Sequence, residues 1–186
     1  MKALFVDFED SFSYNVVQEL FDVGVDADVV NWGDFSGVSQ EYDVLIFGPG
    51  PGHPDDYQNL FPILKSYLAE NRPFFGICLG HQIFWRTQGE DVLRSKNPVH
   101  GQKVELDLTQ EWKEWLGIQG RVFVQRYNSL AVFNGRLNPL FKNFVQDDEL
   151  MITRGEKVIT YQFHPESVGT TFRKEFMQAI YSIVNE

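Results

Sequence analysis

The chain has 186 residues, 43% of them hydrophobic and 15% aromatic, with 17 phenylalanines. That composition excludes a disordered chain and fits one domain with a substantial core. The formal net charge of −10, from 26 acidic against 16 basic residues, repels phosphate backbones and argues against a nucleic-acid partner.

One cysteine, Cys78, leaves no internal disulfide to form, which is consistent with a reducing compartment. No apolar stretch approaches the roughly 18 residues of a membrane span. Asp7 comes too early for a secretory leader. A soluble, cytoplasmic protein is expected.

In chain order, residues 3–6 read as a buried strand, with Asp10 and Ser11 as helix-start residues. Phe12, Val16 and Leu20 then fall four apart, and Gly24 closes that helix. Val29 and Val30 lie in a second strand, and residues 44–47 form a third that stops at Gly48. Leu60, Ile63, Leu64, Tyr67 and Leu68 mark the next helix, with Pro62 tolerable in its first turn. Pro73-Phe74-Phe75 reads as the end of a buried strand, and residues 79–88, free of proline, as a helix.

This alternation predicts an α/β fold: an open, mainly parallel sheet flanked by helices on both faces. After about Gly89 the rhythm changes. Residues 104–108, 121–124, 131–133, 150–153 and 158–163 are strand-like with turns between them, which suggests antiparallel additions to the sheet in the C-terminal half. Phe172, Phe176, Ile180 and Ile183 predict one closing helix. With no repeat, low-complexity tract or linker, residues 1–186 read as a single domain.

Three segments carry chemistry. Cys78 sits in Gly76-Ile77-Cys78-Leu79-Gly80, and a nucleophile on a sharp strand-to-helix turn needs small residues two positions to either side. A helix N-terminus also favours a thiolate. Taken alone, the same five residues would equally suit a buried cysteine acting as a small hydrophobe. The second segment, Gly48-Pro49-Gly50-Pro51-Gly52-His53-Pro54, is a rigid loop with accessible N–H groups at its glycines. It would suit half of an oxyanion hole, the N–H of Leu79 being the other half; alone it is also an ordinary turn.

The third segment is His164-Pro165-Glu166. In an extended strand end, side chains two apart point the same way, and Pro165 disfavours helix at His164. A base oriented by a carboxylate would result, the alternative being a strand cap beside a solvated charge. Cys78 and His81 also have ligand-like spacing, but there is no second close pair of the kind structural zinc uses, so no metal is expected.

Together these segments resemble the class I, triad-type glutamine amidotransferases, a flavodoxin-like fold family. Asp10-Ser11-Phe12-Ser13-Tyr14-Asn15 is similar to the Asp-Ser-Phe-Thr-Tyr-Asn signature of the glutaminase subunits of anthranilate synthase and aminodeoxychorismate synthase. Residues 48–54, 76–82, His100-Gly101, Arg126-Tyr127 with Ser129-Leu130, and 162–167 also match in order, so the resemblance spans essentially the whole chain.

The resemblance implies Cys78 as nucleophile, His164 as general acid and base, and Glu166 as its orienter. The N–H groups of Gly52 and Leu79 would bind the oxyanion. Gly50, Gln82, Ser129 and Leu130 would hold glutamine, while His81 would pack or hydrogen-bond locally. It implies hydrolysis of glutamine through a γ-glutamyl thioester, and a partner synthase subunit (component I) that receives the ammonia and aminates chorismate. No cofactor is implied in this chain, although the partner synthase would depend on magnesium.

Two other readings stay open on the residues alone. One is a cysteine hydrolase on the same fold, which would not need the 10–15 signature. The other is a non-catalytic regulatory module, which would not need all three triad residues. The chain departs from the family pattern at Asn128, where a histidine is common, and at Glu90, where a second glycine is usual. Residues 154–157 also form a short stretch. Trp112 and Trp115 suit packing better than a partner surface.

Overall fold

Strands rich in Val, Ile, Leu and Phe that are buried on both faces need helices on both sides, and this sequence supplies them in alternation. The computed structural model describes residues 1–133 and 138–184. The first part of the chain contains β1 (Lys2–Asp7), α1 (Ser13–Asp22), β2 (Asp26–Asn31), β3 (Val44–Phe47), a 3₁₀ segment (Pro54–Leu60), α2 (Phe61–Ala69), β4 (Phe74–Ile77) and α3 (Leu79–Thr87). The remainder contains β5 (Val92–Arg94), β6 (Gln102–Leu106), α4 (Gln110–Leu116), β7 (Val122–Arg126), β8 (Leu130–Val132) and β9 (Lys142–Gln146). It closes with β10 (Glu149–Arg154), β11 (Val158–Tyr161), α5 (Arg173–Gln178) and α6 (Ile180–Val184).

The main sheet has the order β2-β1-β3-β4-β11-β10-β9. Its first five strands are parallel, while β10 and β9 are antiparallel additions. Successive residues alternate between two cores. Phe5, Ile46, Phe75 and Ile77 face α1, α5 and α6 with Val16, Leu20, Phe176 and Ile180. Val6, Leu45, Phe47 and Phe74 face α2 and α3 with Leu64, Ile83, Phe84 and Trp85. Each such buried side chain contributes roughly 1.5–3 kcal/mol relative to exposure.

The structure corrects several expectations. Phe74 and Phe75 begin β4 rather than ending it, since the strand runs on to Ile77 and turns at Cys78, with Pro73 just before it. α1 starts at Ser13 with Phe12 as its N-cap; Asp10 instead accepts the Phe12 N–H at 2.8 Å in a loop before the helix. β6 and β7 pair with each other outside the main sheet, as do β5 and β8, so only β9 and β10 extend it antiparallel.

β11, in contrast, joins the parallel set. The closing helix is two short helices, α5 and α6. The short stretch at 154–157 is a tight turn, closed by the Gly155 N–H donating to the Val158 carbonyl at 2.7 Å. Trp112 is buried, with Trp115 edge-on against it.

Candidate active site

The parallel strands β3, β4 and β11 are neighbours, so the segments that follow their C-terminal ends meet in space. That end of an open α/β sheet is where ligands bind. β4 delivers Cys78 with φ 51° and ψ −97°, a strained backbone for a residue with a side chain. Its N–H donates to the Tyr161 carbonyl of β11 at 2.7 Å. A Cβ on Gly80 would lie 2.2 Å from the Phe47 carbonyl oxygen, and one on Gly76 would lie 2.9 Å from the Gly80 backbone. The elbow therefore requires glycine at both positions.

Leu79 is the first residue of α3, so its N–H has no carbonyl four residues back within the helix. The Gly-Pro loop packs directly onto this turn: a Cβ on Gly50 would lie 2.4 Å from Phe8 and 2.6 Å from Leu79. Tyr57 fastens the loop by donating to the Pro51 carbonyl at 3.0 Å. His53 caps the 3₁₀ segment, its Nδ1 accepting from the Asp55 N–H at 3.1 Å.

β11 leads to His164, whose N–H donates to the Gln125 carbonyl at 3.0 Å, so β7 docks on the end of the extended segment. His164 Nδ1 and Glu166 Oε1 are 2.6 Å apart, and both side chains are buried. Burial opposes a charge on the imidazole, but interaction with the Cys78 sulfur and the Glu166 carboxylate outweighs it. These two neighbours hold the His164 pKa well above its ordinary value.

Rings enclose the pair. Tyr127 lies 4.8 Å and Phe12 5.4 Å from the His164 ring, centroid to centroid. The 10–15 signature accounts for the position of Phe12. Asp10 accepts the Phe12 N–H, and Ser13 Oγ donates to Asp7 Oδ1 at 2.5 Å.

Between the elbow and the 127–130 segment lies a cavity of about 210 Å³, lined by Gly50, Gly52, Cys78, Gln82, Ser129 and Leu130 among others. It has the scale of a single amino acid. Gln82 Nε2 donates to the Leu130 carbonyl at 3.1 Å and to Gln162 Oε1 at 3.2 Å. With both amide N–H groups engaged, Gln82 has only its Oε1 left for a ligand, as an acceptor. Gln162 Nε2 in turn donates to the Cys78 sulfur at 3.8 Å.

All nine residues singled out from the sequence thus lie at one end of the sheet. Gln162, which the sequence reading left without a role, joins them. Its place in the 162–167 motif was the available signal. A wider hollow of about 490 Å³, lined by Leu68, Arg72, Phe84 and Phe141 among others, includes no cysteine or histidine among the described residues.

His81 is separate from this group. It is fully buried, its Nδ1 lies 2.8 Å from Thr160 Oγ1, and burial pushes its pKa down to about 3. A ring held neutral in this way takes no part in proton transfer near neutral pH. Among the described residues, its Nε2 has no hydrogen-bond partner.

The strand order, the elbow beyond the parallel strands and the buried histidine–carboxylate pair define the class of α/β proteins built around a nucleophile elbow. Residues 4–183 match the model for glutamine amidotransferase class-I, and the chain belongs to that family. It is 33% identical over 180 residues to anthranilate synthase component 2 of Helicobacter pylori (strain ATCC 700392 / 26695), covering 91% of each chain. It is also 33% identical to aminodeoxychorismate/anthranilate synthase component 2 of Bacillus subtilis, covering 94% of this chain and 93% of that one. The fold matches the crystal structure of a glutamine amidotransferase from Thermotoga maritima with a TM-score of 0.71 and 20% identity, covering 97% of this chain and 82% of that one. No helix among the described residues is long and apolar enough to cross a membrane.

Proposed function

We propose that the chain hydrolyses the side-chain amide of glutamine through Cys78 and supplies the ammonia to a chorismate-aminating synthase subunit. The observation that carries this reading is that Cys78, with its strained backbone, lines an amino-acid-sized cavity while the 2.6 Å His164–Glu166 pair sits against its sulfur. Membership in the glutamine amidotransferase family supports glutamine as the ligand.

An amide is a poor electrophile, so attack needs a thiolate and donors at the developing oxyanion. His164 takes the Cys78 proton as the sulfur adds to the amide carbon. The N–H groups of Gly52 and Leu79 bind the oxyanion, each donor being worth about 10²–10³-fold in rate. His164 then gives its proton to the departing nitrogen, ammonia leaves and the thioester remains. Water, deprotonated by His164, attacks the thioester and releases glutamate and the thiol. Glu166 orients the ring and stabilises its charged form throughout. The Oε1 of Gln82 accepts from the bound amino acid.

The names of the relatives, component 2 of anthranilate or of aminodeoxychorismate synthase, support a component 1 partner for this chain. Ammonia released into neutral water would be protonated and lose its nucleophilicity, so a sheltered passage between subunits suits the chemistry. Pairing the chain with each candidate synthase and assaying product formation from glutamine and from ammonia tests the reading. Cys78→Ser is expected to lower the glutamine-dependent rate by more than about 10³-fold and to spare the ammonia-dependent one. Equal loss of both in an intact complex would refute it.

A further inference from the structure

Behind the cavity wall lies a buried ion pair that the proposed chemistry does not use. Arg126 Nη2 and Glu149 Oε2 are 2.6 Å apart, with side chains 4% and 1% exposed. Glu149 Oε1 also accepts from Ser95 Oγ at 2.5 Å and from the Lys96 N–H at 3.2 Å. A buried pair of this kind gains little stability over a well-packed apolar one, because both charges must be desolvated. Its placement therefore needs another explanation.

The pair connects to the wall. Arg126 Nε donates to Asn128 Oδ1 at 3.0 Å, and Asn128 Nδ2 donates to the Leu130 carbonyl at 2.9 Å. The orientation of the Asn128 amide follows from its partners, since a guanidinium only donates and a carbonyl only accepts. The Leu130 carbonyl is the same acceptor that Gln82 uses. The Ser95 N–H also donates to the Ser129 carbonyl at 2.9 Å, so Glu149 braces this segment from two directions.

We propose that Asn128, oriented by the buried Arg126–Glu149 ion pair, is a positioning residue that fixes the Ser129–Leu130 wall for glutamine binding. This rests on the glutamine reading above. The position needs one acceptor facing Arg126 and one donor facing Leu130, which a neutral imidazole also offers. Charge at this position is not required.

The test alkylates Cys78 in the intact chain with iodoacetamide while glutamine is titrated, and reads the glutamine concentration that halves the rate. Asn128→Asp keeps the shape and the acceptor but turns the donor facing Leu130 into a second acceptor. The half-protecting concentration, read against each variant's own alkylation rate without glutamine, should rise at least about tenfold. Asn128→His should restore protection to within about threefold of the unmodified chain.

Arg126→Lys keeps a charge for Glu149 but withdraws the Nε donor, and should raise the half-protecting concentration by about threefold or more. It carries the test if thermal melting shows the Asp variant to be unfolded. Protection unchanged in Asn128→Asp, or in Arg126→Lys where the Asp variant does not fold, overturns the positioning role. Absence of protection in the unmodified chain overturns the glutamine reading and this inference with it.

Discussion

His81, three residues after Cys78, and His164, beside the Cys78 sulfur, are each almost fully buried, and each has Nδ1 hydrogen-bonded to a residue of the segment that begins at β11. They differ in the partner. His81 meets the Thr160 hydroxyl, which gives a positive charge no support, and burial alone holds its pKa at about 3. His164 meets the Glu166 carboxylate and the Cys78 sulfur, and its pKa rises despite equal burial. Two buried histidines near one cysteine thus differ in charge preference according to whether the sulfur and a carboxylate face the ring.

Substitutions can break this contrast. His164→Asn removes the only proton carrier facing the sulfur in the proposed chemistry, and should lower glutamine hydrolysis by about 10³-fold in a steady-state ammonia assay. Glu166→Gln keeps a hydrogen-bond partner without charge, and a fall of about tenfold to a hundredfold in kcat is expected. His81→Gln should leave kcat and KM within about threefold. Were His81→Gln as damaging as His164→Asn in a folded protein, the distinction would be lost.

The contrast should also appear in stability, measured as urea midpoints across pH. The unfolded chain protonates His81 near its ordinary value of 6.5, while the folded chain resists until about 3. The stability this residue contributes is complete above about pH 6.5 and falls as pH drops towards 3, by about 1.4 kcal/mol per pH unit at most. His81→Gln should flatten that slope. For His164 the sign reverses: its contribution is complete below pH 6.5 and is lost as pH rises through the raised folded value. His164→Asn should remove that second slope, the smallest of these effects.

The sequence revealed the parts whose causes are local. β3, α3 and the elbow follow from an apolar run, a proline-free stretch and two glycines spaced around a cysteine. The His164–Glu166 pair follows from extended geometry before and after a proline. The C-terminal half was less legible because its strands are short and their pairing is decided at a distance. β7 pairs with β6 rather than with the main sheet, and β9 is partly exposed and lacks a clean alternation. α4 is a short helix whose acidic residues interrupt two tryptophans, which leaves no clear helical period. Thr160, Gln162 and Glu149 acquire their places from partners 79, 84 and 23 residues away, separations over which no spacing rule operates.

One backbone hydrogen bond has a mechanical consequence. The Cys78 N–H is tied to the Tyr161 carbonyl, three residues before His164 on the same extended segment. Sulfur and imidazole are therefore referenced to one strand rather than to two separately anchored loops. A displacement of β11 shifts the anchors of both groups together.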